Sequence, residues 1–135
     1  MALPDIMNII AQHLASQGHG TLGTDIFEGP VRGADLDGAG LIPVNAIFVQ
    51  AQAGNPPERV SSNMAAVRYN GAQIRVRNAV HDVGDVIARA VHDTVAGTLP
   101  AALSDLWPEQ SYPVYVGQDE EDYYHWSINV IAVTI

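Results

Sequence analysis

The spacing of apolar residues in this chain changes between the helical and the strand period three times, and the order of those changes restricts the fold more than any other feature. Leu3, Ile6, Ile10 and Leu14 recur three or four residues apart, with Ile9 widening the stripe. That spacing predicts a helix over about residues 4–17. Pro4 suits its first turn, Asp5 faces the positive end of its dipole, and Gly18 suits its stop.

The period then shortens. Thr24 to Glu28 is a candidate short strand. Val44 to Ala51 holds Ile47, Phe48 and Val49 in succession, as expected of a strand covered on both faces. Asn55-Pro56-Pro57 interrupts regular structure. Gln73 to Arg77 alternates, with Ile74 and Val76 on one face and Gln73, Arg75 and Arg77 on the other. Asn70-Gly71 is a turn signal, so Ala66 to Tyr69 is expected to pair with 73–77 as a hairpin.

A second helix is predicted over 80–96. At ~100° per residue, Val83, Ile87, Ala90, Val91 and Thr94 share one side. His81, Asp82, Asp85, Arg89, His92 and Asp93 share the solvated one, with Asp85 and Arg89 a four-residue ion pair. Gly97 and Pro100 end it. Pro113 to Gly117 reads as a short strand. Tyr124 to Thr134, apolar on both faces, reads as a long central one. Helix, strands, helix, strands without βαβ alternation implies an α+β fold. We expect a mixed, mainly antiparallel sheet of about four to five strands, with two helices packed on one face. The chain is expected to form a single domain, 1–135; at 135 residues it is long enough to bury a core without disulfides or metal.

Between the first helix and the second strand, residues 18–43 hold seven glycines and two prolines. A connection that long is uncommon unless it has a task. Its stretch Arg32 to Gly40 is expected to be mobile and to be ordered by a partner.

Charge narrows the function. Fifteen carboxylates face six cations, giving −9 at pH 7, and all six cations are arginine. Such a surface repels a nucleic-acid backbone, so a DNA-gripping role is not expected. A surface past which DNA slides without adhering remains consistent with it. Apolar runs such as Ile128 to Ile135 fall far short of the ~20 residues that span a membrane. No export signal is evident, so synthesis and residence in the cytosol are expected. There is no cysteine, which removes thiolate ligands and a cysteine nucleophile.

Little in the chain carries chemistry. Gly18-His19-Gly20-Thr21-Leu22-Gly23 matches the dinucleotide fingerprint by letter, but a helix precedes it and a loop follows, the reverse of what phosphate binding requires. It reads as a helix-end turn. His81 and His92 lie about three turns apart, ~16 Å, too far to share an ion. His81 with Asp85 makes two ligands, which is not a site. No serine stands in a nucleophile elbow. No catalytic residue, cofactor or metal is therefore expected.

Two charged features remain as binding candidates. One is the alternating face of Arg75 and Arg77. The other is the run Asp119, Glu120, Glu121 and Asp122, which suits a solvated hairpin tip or an acidic contact patch; calcium loops intersperse their ligands with turn residues. Tyr123 and Tyr124 follow that run directly, and Trp107, Tyr112, Tyr115 and Trp126 lie nearby. These rings suit either a core or a protein interface.

Several segments in order resemble a known family. A helix ends in a Gly-x-Gly turn (Ile6 to Gly20), followed by Thr24-Asp25-Ile26-Phe27-Glu28-Gly29-Pro30. A strand at Asn45 to Gln50 precedes a Gly54 to Pro57 break. Gln73-Ile74-Arg75-Val76-Arg77 runs straight into the helix Val80 to Ala96. Tyr115-Val116-Gly117-Gln118-Asp119 and Trp126-Ser127-Ile128-Asn129-Val130 close the chain. The arrangement resembles the tail terminator (tail completion, or minor capsid) proteins of long-tailed bacteriophages over nearly its whole length. The absence of lysine and the four consecutive acids, where glycine or a base would be expected, depart from the family's pattern.

The resemblance implies a structural virion protein: a ring, typically a hexamer, on the head-proximal end of the tail tube. It would stop tube polymerisation and join the tail to the head connector or stopper. Implied partners are copies of itself, the tail tube protein and that connector, with DNA passing through the lumen unbound. The implied location is the head–tail junction of a virion assembled in host cytoplasm. A head–tail connector or tail tube protein of the same machine is the alternative. A small ligand-binding or hydrolytic α+β enzyme is a third reading; it requires a deep pocket with convergent polar groups. A closed ring needs two different complementary patches on each subunit. Arg75 and Arg77 are candidates for one, and Asp119 to Asp122 with Tyr123 and Tyr124 for the other.

Overall fold

The computed structural model describes residues 5–29, 44–52, 58–59 and 66–134. The expectations for Leu3, Pro4, residues 30–43 and Asn55-Pro56-Pro57 fall outside them. Helix α1 spans Ile6–Ser16. The Asp5 side chain accepts from the Asn8 N–H at its start. At its end Gly18 takes φ +87°, its N–H reaching Ala15 O and the His19 N–H reaching Leu14 O. That pair of bonds closes the helix only because glycine tolerates the left-handed conformation.

Strands β1 (Ile26–Glu28), β2 (Ala46–Gln52), β3 (Glu58–Arg59) and β4 (Ala66–Asn78) precede helix α2 (His81–Gly97). Strands β5 (Asp105–Pro108), β6 (Val114–Gln118) and β7 (Tyr124–Thr134) follow it. The main sheet runs β1-β2-β4-β7-β5. Among the described strands only the β1–β2 pair is parallel, and the other strand pairs are antiparallel. β6 joins the same edge of β7 as β5, further along, and β3 pairs with the first two residues of β4.

Register explains the single core. Ile47 lies opposite Val76, which lies opposite Trp126; Val49, Ile74 and Ile128 form the next row. All six side chains share one face and are almost fully buried. α1 covers this face over β1 and β2, while α2 covers it over β4, β7 and β5. The α+β fold with both helices on one face of a mixed sheet is as the sequence implies, and β7 is indeed central. The strand count is higher than expected, because β5 and the two-residue β3 were not foreseen.

Two expectations are corrected. Residues 66–78 form one uninterrupted strand, not a hairpin about Asn70-Gly71. Gly71 pairs with Gln52 on one side and Ile131 on the other. The Asn70 amide, which would have shaped a turn, donates instead to Ala132 O (2.9 Å) and Thr134 Oγ1 (3.2 Å) of β7. Pairing to two neighbours outweighs a turn preference of a single dipeptide. The buried side of α2 is also displaced by about one position. Gly84, Ala88, Val91, His92 and Val95 face inward, while Val83 and Ala90 are exposed. Gly84 sits against the Trp126 ring; a Cβ there would overlap Trp126 Cζ3 and Cη2 and lie 2.9 Å from Asn78 Cβ. The missing side chain lets the helix dock close, and this close approach sets its rotation.

Candidate subunit interface

The face of the sheet away from the helices carries the sequence's charged candidates. Its rows read Gln50–Gln73–Asn129, Phe48–Arg75–Ser127 and Ala46–Arg77–His125 across β2, β4 and β7. Its middle is polar and internally bonded: Gln73 Nε2 donates to Ser127 Oγ at 2.8 Å. Arg75 and Arg77 are half-buried. The Arg77 guanidinium lies over the Phe48 ring (5.3 Å) and the Tyr123 ring (5.7 Å), and its Nε–H donates to Val44 O at 3.0 Å. Much of Arg77 is thus committed to its own fold through charge–ring attraction.

The acidic run is a turn between β6 and β7. Asp119 organises it. Oδ1 accepts from the Glu121 and Tyr123 N–H groups, at 2.9 and 3.1 Å. Oδ2 accepts from His125 Nε2–H at 2.7 Å. An ionised carboxylate only accepts, so the proton stands on His125 Nε2. The His125 bond, with the two backbone N–H groups, holds the Asp119 carboxyl below the usual carboxylate range. Asp122 adopts φ +65°, the position a glycine would ordinarily take. Glu120, Glu121 and Asp122 stay exposed.

The structure therefore brings the arginine pair and the acidic tip to one end of one face. Arg77 and Asp119 flank His125 within the same molecule. Tyr123 and Tyr124 separate. Tyr123 packs on Arg77 on the open face, and Tyr124 turns toward the helices. There the His81 ring lies 5.3 to 5.4 Å from Tyr115, Tyr124 and Trp126. Trp126 is core. Trp107, Tyr112 and Tyr115 are partly exposed. The solvated-side assignment holds for Asp85 and Arg89, paired at 2.9 Å. It fails for His92, which is buried with Nε2 2.7 Å from Gln110 O.

Sequence reasoning missed an apolar edge. Val114, Tyr115 and Val116 of β6 are 45%, 46% and 52% exposed, and among the described residues β6 pairs with β7 alone. Val83 and Val86 form a second exposed apolar spot on α2. The composition of Val114-Tyr115-Val116 could only have marked a strand; whether a strand lies at an edge is decided by which neighbours arrive.

The rest of the surface offers little for chemistry. Gly18, Gly20 and Gly23 form the helix-end turn the sequence suggests, and His19 Nε2 contacts Thr94 Oγ1 at 2.6 Å. A cleft of about 90 Å³ beside His19, Asp25, Asn45 and Asn78 is well below the ~300–1,000 Å³ of small-molecule sites. An open groove of about 400 Å³ between α1 and Leu99–Ala102 has one titratable wall residue, His13, which is engaged by Thr98. Among the described residues no group of three or more His, Cys, Asp or Glu could hold a metal ion. No helix among them is long and apolar enough to cross a membrane.

No family model and no curated protein sequence matches the chain. The fold does have a solved counterpart in a phage-like particle. It is a chain of the virion of a native gene transfer agent, with TM-score 0.57 and 16% identity, over 95% of this chain and 92% of that one. At this identity the likeness establishes a shared fold; it does not transfer individual side-chain roles.

Proposed function

We propose that this chain is a structural subunit of a phage-like virion, and that it forms the ring closing the head-proximal end of the tail tube. The observation that carries the reading is the match, nearly end to end in both chains, with a chain built into a virion. The motif order of tail terminators supports the narrower role. In this reading the protomers close into a ring, typically six-fold, by two different patches per subunit. One ring face caps the tube protein, which ends polymerisation. The other meets the head connector or stopper. The mechanism is steric and needs no reaction centre, cofactor or metal. The surplus of carboxylates suits a lumen that DNA traverses without adhering.

Arg75 with Arg77, and the exposed acids Glu120, Glu121 and Asp122, are proposed to face neighbouring subunits. Because Arg77 also braces Phe48 and Tyr123, Arg75→Glu is the cleaner probe of such a contact.

Electron microscopy and size-exclusion chromatography test the reading. The purified protein should form discrete rings, and those rings should cap tail tubes polymerising in the same mixture and shorten them. Long tubes formed by this chain alone would make it the tube protein instead. A monomer at every concentration that leaves tube length unchanged would end the ring reading.

A further inference from the structure

We propose that the outer edge of β6 is where a second copy of this chain docks, continuing the sheet from one subunit into the next. The inference rests on the ring reading above and names the seam.

The two edges of the sheet are treated differently. At the β1 edge, Leu22 bridges to Ile26 and the Gly23 N–H donates to Ile26 O at 2.8 Å, so the chain covers part of its own strand. Among the described residues nothing comparable covers the β6 edge: β6 hydrogen-bonds to β7 alone, and its residues Val114, Tyr115 and Val116 are about half exposed. A free strand edge presents unpaired N–H and C=O groups and recruits another strand unless charge, proline or distortion prevents it. Here Pro113 directly precedes β6 and a register shift lies between Tyr115 and Gly117, but no charged residue occurs from Gln110 to Gln118.

Charge argues for a second copy as the occupant. Two chains of −9 repel, so they can meet closely only where carboxylates are not set against one another. Fifteen carboxylates in 135 residues average one in nine, yet the nine residues Gln110 to Gln118 hold none. The strand itself carries no carboxylate; Glu109 and the acidic turn from Asp119 bound it on either side.

Tyr112, Val114, Tyr115 and Val116 are each about half exposed, and Val114 and Val116 lie on the opposite sheet face from Tyr115. A standard interface removes ~800 Å² from each partner, so strand pairing and flanking polar contacts would have to contribute as well. Tyr115 is held for docking by an edge-on contact with His81 and a tilted one with Trp126 (5.4 and 5.5 Å), which lowers the entropy lost on docking.

Val114→Lys with Val116→Lys tests the seam, with Val83→Lys and Val86→Lys as a charge-matched control at the other exposed apolar spot. Light scattering coupled to size exclusion should show wild type and control as rings. The edge variant should fall to one protomer, a sixfold drop in mass if the ring is six-fold, with an unchanged circular dichroism spectrum. An edge variant that assembles like wild type overturns the seam and leaves the ring reading standing. A wild type that is monomeric throughout overturns both. Hydrogen exchange on wild type guards against a variant that fails to fold. Amides of 112–117 should exchange at least ten-fold more slowly in the assembled fraction than after dilution to monomer; equal rates overturn the proposal.

Discussion

The two faces of this sheet are built from alternate residues of the same strands, yet they do opposite work. On the helix side, Ile74, Val76, Ile128 and Val130 are shut away from water. On the open side, Gln73 bonds to Ser127 and Asn129, and Arg77 lies over the Phe48 and Tyr123 rings. Apolar burial has no direction and sums to most of the folding free energy. Polar contacts add less but depend on geometry, so they can distinguish one partner from another. The period-two alternation of β4 and β7 separates stability from recognition. Substitutions one residue apart should therefore report different properties.

The sharpest break in that comparison lies on the helix side. Trp126→Ala should cost about 3–5 kcal/mol in urea unfolding, since it empties the largest fully buried side-chain position. Gly84→Ala should cost about 1–3 kcal/mol by overpacking against the same ring, against a helix-propensity gain of about 1 kcal/mol. A stabilised Gly84→Ala would mean that α2 does not sit where its register implies.

Acid should weaken the packing of α1 on α2. His13 Nε2 lies 2.7 Å from Thr98 Oγ1 and His19 Nε2 2.6 Å from Thr94 Oγ1. Thr98 gives its own hydroxyl proton to Thr94 O, so His13 Nε2–H must donate to Thr98. Burial lowers the pKa of both histidines, and for His19 the nearby His13 lowers it further. Above the ordinary value of ~6.5 neither state is charged and nothing is lost. Below it the unfolded chain takes up protons that the folded chain resists, so stability falls as pH drops toward the lowered values. Melting temperature should decline from pH 7 to pH 5, and His13→Gln with His19→Gln should flatten that decline. An unaltered slope in the double variant would place the acid sensitivity elsewhere.

The smallest stability effects belong to the open face. Arg77→Ala should cost about 1 kcal/mol, the scale of its two ring contacts. Arg75→Ala should stay within about 0.5 kcal/mol, as surface changes usually do, while altering assembly if Arg75 faces a neighbour. Thermal melts read beside ring mass would separate the two. Equal stability losses at both arginines would erase the distinction drawn between them.

The sequence by itself determined the elements whose signals are local. In α1 the stop at Gly18 acts as read, while Asp5, read as part of the first turn, caps the helix from just before it. β7 is central, as its length and apolar content imply, although its open face carries His125, Ser127 and Asn129. The ion pair of Asp85 and Arg89 follows from four-residue spacing alone. Tertiary structure decided the rest. Asn70-Gly71 is a turn by its letters and a strand interior by its neighbours, because β2 and β7 offer partners on both sides. Val83 is exposed and Gly84 buried because Trp126, more than forty residues later, requires a gap above its ring. Val114-Tyr115-Val116 lies on an edge because, among the described residues, only β7 pairs with it. Hydrophobic patterning records which residues avoid water; which surface meets them, another strand or a second subunit, depends on residues distant in the chain and on the copies around it.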